Sequence, residues 1–158
     1  MTDTTAKTAL ITPVLIGSCL ILVIGFGVRS SYGVFQIPIA AEFGWPRAEF
    51  SMAIAIQNLA WGIGQPIFGA LAERFGDRRA LTLGVLVYVA GLVLSSFATT
   101  AAAHQFLSLL VGFGVAGTGF GVLLAIVARA ASPQYRAMAL AIAAASGAVG
   151  QILFPPLA

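Results

Sequence analysis

The chain has 158 residues, of which 59% are hydrophobic and 8% charged, with a net charge of +3 and a mean hydropathy of +1.00. A water-soluble domain carries roughly 25% charged residues, so this chain lacks the polar side chains to cover a solvated surface, and its basic excess is not gathered on the solvated face that a nucleic-acid binder needs. One cysteine, one histidine and five scattered acids provide no disulfide framework, no metal cluster and no catalytic group of titratable side chains at one depth, and no cofactor is expected.

Taken in chain order, residues 1–11 form a short N-terminal tail that carries Lys7. The uncharged run Thr8–Val28 follows without a small-residue cleavage site, so it reads as an uncleaved first span rather than a signal peptide. Ser30–Ala41 extends that span, giving a predicted helix over 12–41 with Cys19 on its surface and Pro38 near its end. Glu42-Phe43-Gly44-Trp45-Pro46-Arg47 is a turn at the membrane surface, where Trp45 suits an interfacial anchor. A second span covers 48–72 and includes Pro66, a break that neighbouring membrane helices can accommodate. Residues Glu73–Arg79 turn the chain back into a third span over 80–98.

The connection Ala98–His104 carries no Lys or Arg and leads to a fourth span over 104–129, with His104 as an interfacial residue at its start. Arg129–Arg136, marked by Ser132-Pro133, is the next turn, and a fifth span occupies 136–158. Each uncharged stretch meets the roughly 20 apolar residues that a hydrocarbon core requires, so the expected fold class is an all-α integral membrane bundle. Its last span runs to Ala158 with no polar tail, which reads as truncation within span five. Lys7, Arg74, Arg78, Arg79, Arg129 and Arg136 fall on one side of this arrangement and Arg47 on the other, which predicts a multi-pass cell-membrane protein with a cytoplasmic N-terminus.

Glycines inside the later spans, Gly112, Gly114, Gly117 and Gly121 in the fourth and Gly147 and Gly150 in the fifth, are expected to pack helices closely. Gly117/Gly121 and Ser146/Gly150 have the small-xxx-small spacing that does so. Gly112–Gly117 also fits G-x-G-x-x-G, but no strand precedes it, so a nucleotide site is rejected. Gly-Phe-Gly-Val at 25–28 returns at 112–115, an interval that fits either a three-helix repeat or coincidence among abundant glycines.

The most informative stretch is Gly69-Ala-Leu-Ala-Glu-Arg-Phe-Gly-Asp-Arg-Arg-Ala-Leu81, between spans two and three. It resembles the major facilitator signature G-x-L-a-D-R-x-G-R-[RK]-x-x-L, matching at Gly69, Leu71, Ala72, Arg74, Gly76, Arg78 and Leu81, with Glu73 for the usual Asp and Asp77 for a usual basic residue. Tyr32-Gly-Val-Phe35 with Glu42–Arg47, and Gly147-x-x-Gly150 leading to Pro155-Pro156-Leu157, are similar to the monocarboxylate and oxalate/formate porter branch. Fourth-span residues 106–111 lack the Arg that many drug and sugar porters carry there. The resemblance implies the incomplete N-terminal six-helix half of a transporter, with five spans present, a missing C-terminal transmembrane half as partner, and alternating access as mechanism. It implies a cytoplasmic gate at Gly69, Glu73, Arg74, Gly76, Arg78 and Arg79, in which Arg129 pairs with Glu73. The simpler reading of the same Arg residues is orientation alone.

For substrate chemistry Arg29 stands out, because an ionised group inside a span costs several kcal/mol unless it meets a cavity or a partner. Its guanidinium could grip a carboxylate of a small organic anion. It could equally pair with Glu42 or Glu49, or reach toward the headgroups. Tyr32, Gln36, Gln57, Asn58 and Trp61 are the other candidates, and Gln57, Trp61 and Gln65 recur every four residues on one helix face. Such polar groups either line a hydrated cavity or bond neighbouring helices. A drug or sugar porter of the same superfamily, or a structural helix bundle without transport, are the competing functions.

Overall fold

In the computed structural model, residues 10–158 are described, apart from the side chains at 36 and 37; residues 1–9, Lys7 among them, lie outside the described set. The chain forms helices α1 (Pro13–Phe43), α2 (Arg47–Phe75), α3 (Asp77–Ser95), α4 (Ala101–Thr118), α5 (Phe120–Ala130) and α6 (Arg136–Leu153), then a 3-10 turn at Pro155–Leu157. No strand occurs among the described residues.

Local chemistry sets the ends of these helices. The Thr12 hydroxyl accepts from the Leu15 amide at 3.2 Å, ahead of a proline at the first position of α1. Gly44, at φ 64°, closes α1, and Gly76, at φ 91°, is the single residue joining α2 to α3. Side chains rarely adopt that backbone, so both turns call for glycine. Thr100 caps α4 by accepting from the Ala103 amide at 3.2 Å. With 31 residues, α1 measures about 46 Å at 1.5 Å per residue, longer than the ~30 Å hydrocarbon core.

Four segments are long and apolar enough to cross a membrane: Pro13–Phe35, Asp77–Ser95, Ala101–Ala130 and Arg136–Leu157. At 29 residues α2 has the length of a span, while Gln57, Asn58 and Gln65 make it more polar than the other four.

The fourth span, Ala101–Ala130, carries an interruption: α4 stops at Thr118, Gly119 is extended (φ −92°, ψ −167°), and α5 restarts at Phe120. The Thr118 hydroxyl bonds back to the Gly114 carbonyl at 2.9 Å, an arrangement that bends helices. Glycines at 117, 119 and 121 further weaken the helix around it.

The packing has two centres. Helix α4 is clasped by α2 and α3, α1 lies mainly along α6, and α5 connects the two groups. Glycines make the close approaches: Gly114 lies against the Tyr88 backbone and Gly112 against the Gln57 carbonyl, and a Cβ on Gly117 would stand 2.6 Å from the Gly84 Cα. In the second centre Gly150 abuts the Val23 carbonyl, and a Cβ on Gly147 would meet the Phe120 ring at 2.7 Å. Leu22, Phe26, Leu123, Val127, Ala139 and Ala143 fill the core there. Leu20, Leu59, Leu86, Phe106 and Ile152 are exposed on the outside, as residues facing lipid would be.

Among the described residues, one side-chain bond ties α3 to α1: the Tyr88 hydroxyl donates to the Gly25 carbonyl at 2.9 Å. Tyr88→Phe is expected to lower stability by about 1 kcal/mol, the usual worth of such a bond, measured as a small drop in the thermal midpoint of the detergent-solubilised protein.

Candidate functional site

Arg29 sits on α1, away from the helix ends, and the structure supplies it with a neutral partner. Its Nη2 donates to the Asn58 Oδ1 of α2, and the guanidinium carbon lies 5.1 Å from the centroid of the Trp61 ring. Neither Glu42 nor Glu49 is its partner; Glu49 instead accepts from the Gln105 Nε2 at 2.6 Å. Two donors in the cluster are covered and unpaired, the Nε of Arg29 and the indole Nε1 of Trp61. Each buried donor without an acceptor costs about 1–3 kcal/mol.

The surroundings are aromatic. Phe26 of α1 meets Trp61 edge-on at 5.8 Å between centroids and lies 4.4 Å from Phe120 at the start of α5. Next to them, the Gln65 Oε1 presses against Gly121. Helices α1 and α2 otherwise touch little, so the Arg29–Asn58 bond spans a gap between the two packing centres.

Of the sequence-predicted candidates, then, Arg29, Asn58 and Trp61 come together. Gln57 does not join them: it is 4% exposed, turned into the α2–α4 seam beneath Gly112 with Ala60, Gly64 and Phe68. Tyr32 lies elsewhere, 6.4 Å from the His104 ring. The Gln36 side chain lies outside the described residues. His104 is 6% exposed rather than a surface residue, flanked by Tyr32, by Trp45 at 5.8 Å and by Phe50 at 5.4 Å. Sequence reasoning missed Phe26 and Phe120, and nothing in their spacing marks them. Gln65 was visible in the four-residue recurrence, although its contact with Gly121 was not.

At the other end of the bundle, the turn between α2 and α3 differs from expectation in one pairing. Arg129 pairs with Asp77, not Glu73, and Glu73 has no ion-pair partner among the described residues. Asp77 opens the first turn of α3 and Arg129 lies in the last turn of α5, so each charge also meets the favourable end of its helix dipole. Glu73 belongs to the last turn of α2, one residue before Arg74, and is exposed. The Asp77 and Arg129 side chains are 36% and 53% exposed, and such surface pairs contribute about 0–1 kcal/mol. This contact can therefore break and re-form at little cost. Arg74, Arg78, Arg79 and Arg136 are exposed around it. Gly69 has open space where a Cβ would stand.

Comparison with known proteins places these features in context. The family model described as Major Facilitator Superfamily matches residues 17–158. Monocarboxylate transporter 13 of Bos taurus is 36% identical over 134 residues, 84% of this chain and 31% of the cow protein. The protein of the same name from Rattus norvegicus is 35% identical over the same length, again covering 31% of the relative. A Bacillus subtilis (strain 168) protein named as a candidate niacin/nicotinamide transporter, NiaP, is 26% identical over 121 residues, 75% of this chain and 30% of its own length. The chain thus spans about a third of the relatives it matches.

Proposed function

Because the chain belongs to the Major Facilitator Superfamily, we propose that it is part of a secondary transporter that moves a small organic monoanion across the cell membrane by alternating access, with Arg29 as the anion's anchor. The observation that carries this reading is the Arg29 cluster: a cation between the ends of a membrane helix, bonded to one neutral amide, with two covered donors unfilled. An arrangement made only for stability would present an acid to that guanidinium, because an uncompensated charge in a span is costly. A carboxylate bound bidentately supplies the missing acceptor. The names of the mammalian relatives, monocarboxylate transporters, agree with this class.

In this reading the N-terminus and the α2–α3 turn are cytoplasmic, the tail covers residues 1–11, and the bundle 12–158 is one wall of a central cavity. The second wall comes from a further transmembrane half. The Asp77–Arg129 pair serves as a latch on the cytoplasmic side, closed in one arrangement of the helices and open in the other. Its low cost of opening suits a contact that must cycle. Asp77→Arg is expected to slow transport severalfold with little change in stability, and the swap Asp77→Arg with Arg129→Asp to restore most of the rate, measured as initial uptake into proteoliposomes. A swap no faster than the single variant would remove the latch role.

The test of the whole reading is uptake by proteoliposomes carrying the full-length protein, offered singly charged carboxylates alongside a neutral sugar and a cationic drug. Uptake of a carboxylate, saturable and excluded by a second carboxylate, supports the proposal. Uptake of the sugar or the drug in its place transfers the chain to another branch of the superfamily.

A further inference from the structure

We infer that the corner where α2 turns into α3 is a binding site for a two-chain phospholipid of net negative charge, with Arg78 and Arg79 holding its phosphate and the apolar side chains below them its tails. Arg29 takes no part in this site. Arg74, Arg78 and Arg79 gather around Gly76, and the acids of the same turn are Glu73 and Asp77. Asp77 is engaged by Arg129. Among the described residues neither Arg78 nor Arg79 has an ion-pair partner, and both are exposed. Thr82 donates its hydroxyl to the Arg78 carbonyl at 2.8 Å, so the two guanidiniums are the donors left for a ligand.

Two hollows adjoin these arginines. The larger, about 570 Å³, lies along α3 and is lined by Arg78, Arg79, Thr82, Leu83 and Leu86. It is on the side of α3 away from α4, which packs instead against Gly84, Tyr88 and Gly91. The smaller, about 210 Å³, lies between α2 and α3 and adds Leu71, Phe75 and Ala80 to the same Arg79 and Leu83. Arg79 and Leu83 therefore form a wall common to two largely apolar hollows, which fits a molecule with one anionic head and two hydrocarbon tails. The depth agrees with this fit. From Arg78 to Leu86 the helix rises about 12 Å at 1.5 Å per residue, within the ~15 Å that half a hydrocarbon core measures. Leu83, Leu86 and Phe75 are exposed, and a free phosphate would leave them uncovered. Charge decides the headgroup. A zwitterionic lipid would set its ammonium among Arg74, Arg78 and Arg79, whereas an anionic one brings no cation; each basic residue at a membrane surface favours anionic lipid by a factor of about five.

The experiment follows displacement of a fluorescent phosphatidylglycerol from the full-length protein in detergent micelles by phosphatidylglycerol, by phosphatidylcholine of the same chains, and by inorganic phosphate. Phosphatidylglycerol is expected to displace the probe at about a tenth of the phosphatidylcholine concentration or less, and inorganic phosphate not at all. Arg79→Gln, at the residue shared by both hollows, should cut the preference about fivefold, and adding Arg78→Gln should nearly abolish it. Arg136→Gln removes the same charge from the same end of the bundle, on α6, and should leave the preference within about twofold. Because both arginines are exposed, the variants should fold, and Arg78→Gln carries the single-site test if Arg79→Gln does not. Equal displacement by the two phospholipids overturns the inference; this is also the result expected if a further transmembrane half covers this face of α3. A preference lowered as far by Arg136→Gln as by Arg79→Gln overturns it too, since the attraction is then general to the basic end of the protein. Displacement by inorganic phosphate as effective as by phosphatidylglycerol removes the role of the tails and overturns the lipid assignment.

Discussion

Arg29→Ala, made in the full-length protein, is expected under the proposed anion reading to weaken carboxylate binding about a hundredfold or more, and Arg29→Lys about tenfold. Hydrogen bonds to a charged group contribute about 1.5–3 kcal/mol each. Losing two of them, or the equivalent ion pair, amounts to about 3 kcal/mol or more, and 1.4 kcal/mol is a factor of ten. Lysine keeps the charge but not the fork that meets both carboxylate oxygens, so the smaller loss distinguishes geometry from charge. The alternative, in which Arg29 only ties α1 to α2 through Asn58, makes a different prediction. There Asn58→Ala would mimic Arg29→Ala in thermal stability, and neither would change acid binding beyond what unfolding removes. Equilibrium binding of a radiolabelled acid, with the melting midpoint of each variant beside it, separates the two. Normal binding by Arg29→Ala would leave the guanidinium a structural role alone.

Gly114→Leu is expected to be the most damaging substitution in the packing, leaving little folded protein after extraction into detergent. A Cβ at this position would enter the backbone of Tyr88, and backbone in the middle of a packed helix cannot move aside as a flexible side chain can. Overpacking a core costs about 1–3 kcal/mol when the neighbours can shift; here the neighbours are the Tyr88 backbone and, through its hydroxyl, the bond to Gly25. Gly114→Ala should fold in reduced yield with a lowered midpoint, below that of Tyr88→Phe. Gly17→Ala provides the contrast, because its Cβ would meet nothing within 4 Å and removing a helical glycine is worth about 0.4–1 kcal/mol in favour of the fold. Equal melting of the Gly114→Ala and Gly17→Ala proteins would refute the close approach.

The membrane class was legible in the spacing of the charges, since burying them has one affordable pattern and the sequence follows it. Arg29 was legible for the same reason, as the one charge out of place. The sequence could not choose between its neighbours Gln57 and Asn58, which lie about 100° apart on the helix. Which of the two faces α4 is decided by the gap that Gly112 leaves, a tertiary fact. The break at Gly119 was hidden because glycine in a membrane span serves close packing as readily as interruption, and the spacing of Gly117 and Gly121 suggested packing. The pairing of Arg129 was misassigned because resemblance to the signature pointed to Glu73, whereas the chain bends back at Gly76 and presents Asp77 at the tip of α3 instead. The packed pair Phe26 and Phe120 joins residues 94 positions apart in numbering, and no local pattern in the sequence connects them.

The interruption at Gly119 also alters how the fourth span behaves as a mechanical part. A continuous rod carries a tilt at one tip to the other; a rod divided at its middle does not. The α4 piece is gripped by α2 and α3, and the α5 piece lies with α1 and α6 and ends at Arg129, which pairs with Asp77. Each piece can therefore turn with its own neighbours. Under the alternating access proposed above, such a joint would let one entrance widen while the other stays shut.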